Sequence, residues 1–136
     1  MNEIMTAKKL VMVSAAIEAA TGLALIAVPD RVATILLGVG LPGSGIAVAR
    51  LTGIALLCLA IACWPRGESA SDPAIQALFT YNLFAAIYIA YLRLGEGFVS
   101  YVLWPTCAIH ALLGLLLVRP AYESVSASKP VRANKQ

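Results

Sequence analysis

Four long apolar stretches constrain the fold of this 136-residue chain more than any other feature of its sequence. They cover residues 10–28, 44–64, 74–93 and 98–118. Each is close to the ~20 residues with which an α-helix crosses a ~30 Å hydrocarbon core. Lipid cannot satisfy the backbone polar groups of an open strand edge, so such stretches must be helical. The sequence therefore predicts an all-α, polytopic membrane protein built as a four-helix bundle.

Charged residues are scarce and unevenly placed. They make up 12% of the chain, whereas 60% of its residues are apolar, and a typical soluble domain carries ~25% charge. Of the 10 Lys and Arg and the 7 Asp and Glu residues, only Glu18, Arg50 and Arg93 fall within the apolar stretches. This composition excludes a soluble globular protein, a disordered chain and a nucleic-acid binder, and it makes membrane lipids the expected surroundings.

Turn and capping residues separate the predicted spans. Asp30 is expected to cap a short amphipathic helix over residues 31–38, which would lie in the membrane interface between the first two spans. Asp72 is expected to cap the third span, with proline at the first helical position. Residues 95–97, Gly-Glu-Gly, predict a tight reversal that makes the last two spans antiparallel neighbours.

A proline that follows an arginine is expected to close the fourth span at residues 119–120. The predicted organisation is one transmembrane domain over residues 1–120 and a polar cytoplasmic tail over residues 121–136. If the spans alternate, seven basic residues fall on one side of the membrane, and only Arg31 and Arg93 fall on the other. The seven are Lys8, Lys9, Arg66, Arg119, Lys129, Arg132 and Lys135. This asymmetry predicts a bacterial cytoplasmic (inner) membrane protein with both termini in the cytoplasm.

Each predicted span carries one polar residue that is costly to bury in lipid. These are Glu18, Arg50, Asn82 and His110. Helix rise places three of them about 15–18 Å from the outer ends of their spans and Arg50 about 9 Å deep. Such residues usually face the bundle interior and have partners. The sequence therefore predicts an interior polar cluster of all four residues.

Pro105 is expected to kink the last span and to widen the outer half of the bundle. A pocket of the size of a lipid or a quinone would form there, lined by Tyr81, Cys107 and Thr21. Two interpretations of the cluster stay open. In the first, Glu18 and Arg50 form an ion pair that holds two helices together. In the second, the cluster is the site of a bound ligand, of a metal or of proton-coupled transport.

Catalytic and metal-binding motifs are missing from the sequence. Cys107 and His110 share a helix face, but a metal site needs more ligands and haem needs a second axial residue. No nucleotide-binding or hydrolase motif is present. The expectation is a non-enzymatic protein without a metal or a cofactor. Gly45, Ala49 and Gly53 recur at four-residue spacing, a pattern that favours close helix contacts with itself or with another membrane subunit.

Residues 45–53, Gly-x-x-x-Ala-Arg-Leu-x-Gly, stand at the start of the second span, after a Pro-Asp-Arg interfacial segment. With the order of helices over residues 7–119, this pattern resembles DoxX-like and related small bacterial four-helix membrane proteins. The resemblance implies an accessory role in a membrane complex and no catalytic residue.

A second resemblance concerns Glu18 alone. Four helices with a central glutamate in the first are similar to the layout of small multidrug resistance transporters. That layout implies that Glu18 exchanges protons for a cationic substrate. The sequence departs from that family in Arg50, which would neutralise the glutamate, and in the missing tryptophan-bearing motifs.

Overall fold

The structure, a computed structural model, describes the backbone of residues 2–127 and the side chains of residues 6–126. Within that range it is all-helical. The helices are α1 (Asn2–Ala27), α2 (Pro29–Leu37), α3 (Gly43–Cys63), α4 (Asp72–Leu94) and α5 (Leu103–Ala127). The predicted basic residues Lys129, Arg132 and Lys135, and most of the predicted tail, lie outside the described residues.

The prediction of four membrane-spanning helices is confirmed. The long helices contain apolar spans of 21 to 24 residues, and the number of residues matches the thickness of a hydrocarbon core. Those spans are Thr6–Ala27, Gly43–Cys63, Asp72–Leu94 and Leu103–Ser126. Side chains exposed to the surroundings are largely aliphatic or aromatic, as lipid requires.

The four long helices pack as two pairs. Helix α1 packs along α3, helix α4 packs along α5, and the contacts between the pairs are fewer. Gly22 and Gly53 form the crossing point of α1 and α3, where a Cβ on either glycine would lie within 2.7 Å of the other's carbonyl oxygen. The predicted small-residue face of α3 is therefore used at Gly53, whereas Gly45 approaches only Leu41 and Pro42 of its own segment.

The pairs meet at a small apolar core near the ends of the helices that carry the chain termini. We call this end of the bundle the terminal face, and the opposite end, which carries α2, the α2 face. Val11 and Ala15 of α1, Leu78 of α4 and Leu117 of α5 are buried there together. This core joins α1 to the α4–α5 pair.

The fourth span differs from its predicted bounds at both ends. It begins at Leu103 rather than Phe98, because residues 98–102 belong to the loop between α4 and α5. This loop contacts α2, where the Ser100 hydroxyl donates a hydrogen bond to the carbonyl of Ile35. It continues through Pro120 to Ala127, so the predicted stop at Arg119-Pro120 is wrong. A proline removes one helical hydrogen bond but does not end a helix that packing holds in place.

Packing beyond Pro120 is visible in the part of the predicted tail that the structure describes. Ala121 and Ser124 are buried, and the Gln76 amide of α4 donates a hydrogen bond of 3.1 Å to the Ser124 hydroxyl. The residues up to Ala127 therefore belong to the bundle. Pro105 lies in the first turn of α5, where its missing N–H has no helical acceptor, so the predicted kink has no basis.

Two capping predictions were also wrong in detail. Helix α2 forms as predicted but begins at Pro29, with Asp30 in its first turn. The Asp30 carboxylate instead accepts the backbone N–H of Leu41 at 2.8 Å and ties the end of the α2–α3 connection to α2. Helix α4 begins at Asp72 itself and is preceded by Ser71.

Candidate functional site

Three of the four predicted cluster residues meet in the interior of the bundle. Asn82 is completely buried, and its amide nitrogen donates to the Ser14 hydroxyl of α1 at 2.8 Å and to the Leu78 carbonyl at 2.8 Å. Its amide oxygen lies 2.9 Å from Nδ1 of His110 on α5. An amide oxygen only accepts, so the proton of the imidazole sits on Nδ1. Asn82 thereby connects three helices.

Glu18 lies beside this network but is not satisfied by it. Its side chain is 1% exposed, and its Oε1 atom has no hydrogen-bond partner among the residues that the structure describes. The side chain of Tyr81 interacts with the carboxyl group, and the Tyr81 ring packs edge-on against His110, with 5.7 Å between ring centroids. We call Glu18, Ser14, Tyr81, Asn82 and His110 the buried polar cluster.

Arg50 is not part of the buried polar cluster, contrary to prediction. Its side chain is exposed on α3, and it makes no ion pair with any residue in the range 6–126. The reason is the orientation of α3, which turns Gly53 towards α1 and leaves Leu51 and Ile54 on the exposed side with Arg50. Arg50 lies seven positions after Gly43, the first residue of α3, which corresponds to about 10 Å along the helix axis.

The predicted pocket residues are close to the cluster but do not line the cavities described below. Tyr81 belongs to the cluster itself. Cys107 is half-buried, and its thiol donates to the Ala86 carbonyl at 3.4 Å across the α4–α5 contact. Thr21 is half-buried on α1, three residues after Glu18. The quinone-sized pocket at these residues stays a prediction.

One cavity opens at the terminal face and has a volume of about 490 Å³. We call it the terminal cavity. It lies between the start of α1, the segment that leads into α4 and the last turns of α5. The described residues that line it are Thr6, Ala7, Leu10, Ser69, Ala70, Asp72, Ile75, Leu116, Arg119, Pro120, Glu123 and Ser124.

A second cavity of about 440 Å³ is a groove on the outer surface of the α4–α5 pair. It is almost entirely apolar, and Leu83, Ala86 and Gly114 are among its lining residues. Within the part of the chain that the structure describes, no three His, Cys, Asp or Glu side chains are grouped closely enough to hold a metal ion.

Sequence reasoning missed the terminal cavity because it ended α5 at Pro120. The sequence prediction places Arg119 at the end of a helix, and Glu123 and Ser124 in a tail. The available signal was an i, i+4 pair on one helix face, Arg119 and Glu123, which the structure joins at 2.9 Å. Gln76, a polar residue inside a predicted span, was a second signal.

No family model matches this sequence, and neither a curated protein nor a solved structure is significantly similar to it.

Proposed function

We propose that this protein is a non-enzymatic accessory or interaction subunit of the membrane, which binds another membrane protein or a second copy of itself along α3. The observation that carries the proposal is the exposed guanidinium of Arg50. A charged side chain at the centre of a membrane helix costs on the order of 3 kcal/mol, and Arg50, about 10 Å along α3 from Gly43, bears part of this cost. A partner carboxylate on a neighbouring protein would offset this cost.

The composition of α3 supports the same surface. The helix buries Gly53, Leu56, Ala60 and Cys63 within the bundle and leaves the remainder of its length half-buried or exposed. Buried interhelical pairs of opposite charge are the usual setting for an intramembrane arginine. The proposed partner therefore presents an Asp or a Glu on a membrane helix.

The native cysteines provide a direct test of this surface. Cys58 is exposed on α3, and a Cys63→Ser, Cys107→Ser background leaves it as the only thiol. Cross-linking through Cys58 in native membranes is expected to trap one defined adduct. Arg50→Gln should abolish the adduct, whereas Arg66→Gln, a change of an exposed arginine in the α3–α4 connection, should leave it unchanged.

Two results would contradict the proposal. One is a protein that stays monomeric and partner-free in native membranes. The other is an adduct that is insensitive to Arg50→Gln, since the guanidinium would then only reach the headgroups by extending its side chain. The identity of the trapped protein would separate self-association from a heteromeric complex.

The proposal includes a location in the bacterial cytoplasmic membrane with both termini in the cytoplasm. It is supported by Lys8 and Lys9 at the start of α1 and by Arg119 near the end of α5, which lie at the terminal face. This orientation is tested by fusing each of two reporters, one active in the periplasm and one active in the cytoplasm, to residue 97 and, separately, to residue 67. Residue 97 should report as external and residue 67 as cytoplasmic.

Proton-coupled transport is the second candidate function, and one observation favours it. Because Arg50 is exposed and the buried Glu18 has no ion pair with any described side chain, the objection that an arginine neutralises the glutamate no longer applies. Glu18→Gln should then abolish proton-driven uptake of, or tolerance to, a lipophilic cation. The conservative Glu18→Asp should restore part of it, and Glu96→Gln at the α2 face should have no effect. Transport that survives Glu18→Gln excludes this candidate.

A further inference from the structure

The terminal cavity combines an apolar interior with a charged rim. Leu10 of α1, Ile75 of α4 and Leu116 of α5 supply the apolar surface, and Asp72, Arg119 and Glu123 supply the charges. With about 490 Å³, it lies within the range of small-molecule sites, ~300–1,000 Å³. An occupant that matches both surfaces must itself be amphipathic.

The position of the cavity in the membrane restricts the occupant further. Charged residues surround this end of the bundle, with Lys9 on α1, Asp72 on α4 and Arg119 on α5, and charged side chains of membrane helices concentrate near the membrane surface. The cavity therefore lies at the boundary between hydrocarbon and headgroups, where phospholipids carry their phosphate and amine.

The polar groups of the rim favour a cation that donates several hydrogen bonds. Among the described lining residues, two carboxylates, Asp72 and Glu123, accompany one guanidinium, that of Arg119, which contacts Glu123 at 2.9 Å. Pro120 has no N–H, so the carbonyl of Leu116 lacks its helical donor on the α5 wall of the cavity. A primary ammonium group has three donors for such acceptors.

The lining also disfavours a quaternary ammonium group. Recognition of a trimethylammonium headgroup relies on aromatic rings, and no aromatic side chain is among the described residues that line the cavity. Within the described lining, a phosphate without an amine would find one guanidinium and two carboxylates, which is an unfavourable balance of charge.

We propose that the terminal cavity binds a phospholipid with a primary-amine zwitterionic headgroup, of the phosphatidylethanolamine type. Asp72 and Glu123 hold the ammonium group together with the Leu116 carbonyl, and Arg119 pairs with the phosphate. The acyl chains lie along Leu10 and Ile75. This inference is independent of the interaction surface on α3.

Native mass spectrometry of the full chain in detergent tests the proposal. Phosphatidylethanolamine, phosphatidylcholine and phosphatidylglycerol with identical acyl chains are added in equal amounts, and the bound fraction of each is measured. Phosphatidylethanolamine should bind best. Asp72→Asn with Glu123→Gln should reduce its binding about tenfold or more, the factor for loss of one charge-assisted hydrogen bond. Glu96→Gln, a carboxylate change at the α2 face, serves as the matched control and should not alter binding.

Several results would overturn the proposal. Equal binding of the ethanolamine and choline lipids would show that the amine donors are not recognised. Preferential binding of phosphatidylglycerol would show that Arg119 acts as an anion site. Binding that is unchanged in the double variant would place the lipid elsewhere. Size-exclusion chromatography of each variant confirms that it remains folded, since Asp72 and Glu123 are both exposed.

Discussion

The crossing of α1 and α3 leads to a prediction about two glycines that look alike in the sequence. A Cβ at Gly22 would lie 2.7 Å from the Gly53 carbonyl oxygen and 3.0 Å from the Leu57 backbone nitrogen. Both are backbone atoms, so no side chain can move aside. Ordinary contact begins at 3.4 Å, and the two helices would have to separate by about 0.7 Å.

Such a gap weakens the whole contact between α1 and α3. A separation of about 0.5–1 Å forfeits about a quarter to a half of the dispersion attraction between facing atoms. Overpacking of this kind typically costs about 1–3 kcal/mol. Gly22→Ala should therefore destabilise the bundle by about that amount relative to a glycine replacement that meets no backbone.

Gly114 on α5 is that matched control. A Cβ there would meet its nearest atom, the Leu83 backbone nitrogen, at 3.6 Å, which is ordinary contact. Gly114→Ala brings the same gain in helix propensity as Gly22→Ala, about 1 kcal/mol in soluble hosts. The difference in stability between the two variants therefore measures the cost of the close approach at Gly22.

The measurement is the unfolding of detergent-solubilised protein by SDS in mixed micelles, followed through tryptophan fluorescence. We expect the midpoint for Gly22→Ala to fall clearly below that of Gly114→Ala, and the midpoint for Gly114→Ala to stay at or above that of the unchanged protein. A Gly22→Ala variant as stable as the Gly114→Ala variant would refute the argument from the crossing geometry.

The same unfolding assay checks two further expectations, and amide exchange checks a third. Asn82→Leu removes hydrogen bonds to α1 and α5, each worth about 0.6–1.7 kcal/mol in membranes, and should destabilise the bundle by about 1–3 kcal/mol. An unchanged unfolding midpoint would show that this hydrogen-bond network contributes nothing to stability. Pro120→Ala restores a backbone donor inside α5 and should stabilise the protein by up to about 3 kcal/mol; a loss of stability would mean that the packing of α5 requires the proline. Asp30→Ala removes the acceptor of the Leu41 N–H and should increase amide exchange of the α2–α3 connection with little effect on the midpoint; protected amides there would contradict this role.

The membrane spans and the inward polar residues could be predicted because lipid imposes their composition. Glu18, Asn82 and His110 are costly to expose to lipid, and their burial within the bundle could be predicted on that ground. Helix α2 was similarly visible, because a short helix at an interface has one apolar face and one polar face. These features depend on local sequence and on the solvent.

The positions of Arg50 and of the last turns of α5 could not be predicted in the same way. An apolar side chain satisfies lipid and the bundle interior equally well, so the hydrophobic pattern of a span does not show which face packs. Helix α3 turns Gly53 inward and Arg50 outward, and only its contact with α1 decides that orientation. Pro120 is an ordinary stop signal in sequence, yet burial of Ala121 and Ser124 carries α5 past it.

The number of spans, their helical state and the burial of the central polar residues thus follow from the amino-acid order, because each depends on the transfer of single residues between water and lipid. Tertiary packing decides the pairing of α1 with α3, the exposure of Arg50, the Glu18 Oε1 atom that lacks a partner among the described residues, and the terminal cavity. They depend on which helix faces meet, and free energies of transfer do not distinguish those faces.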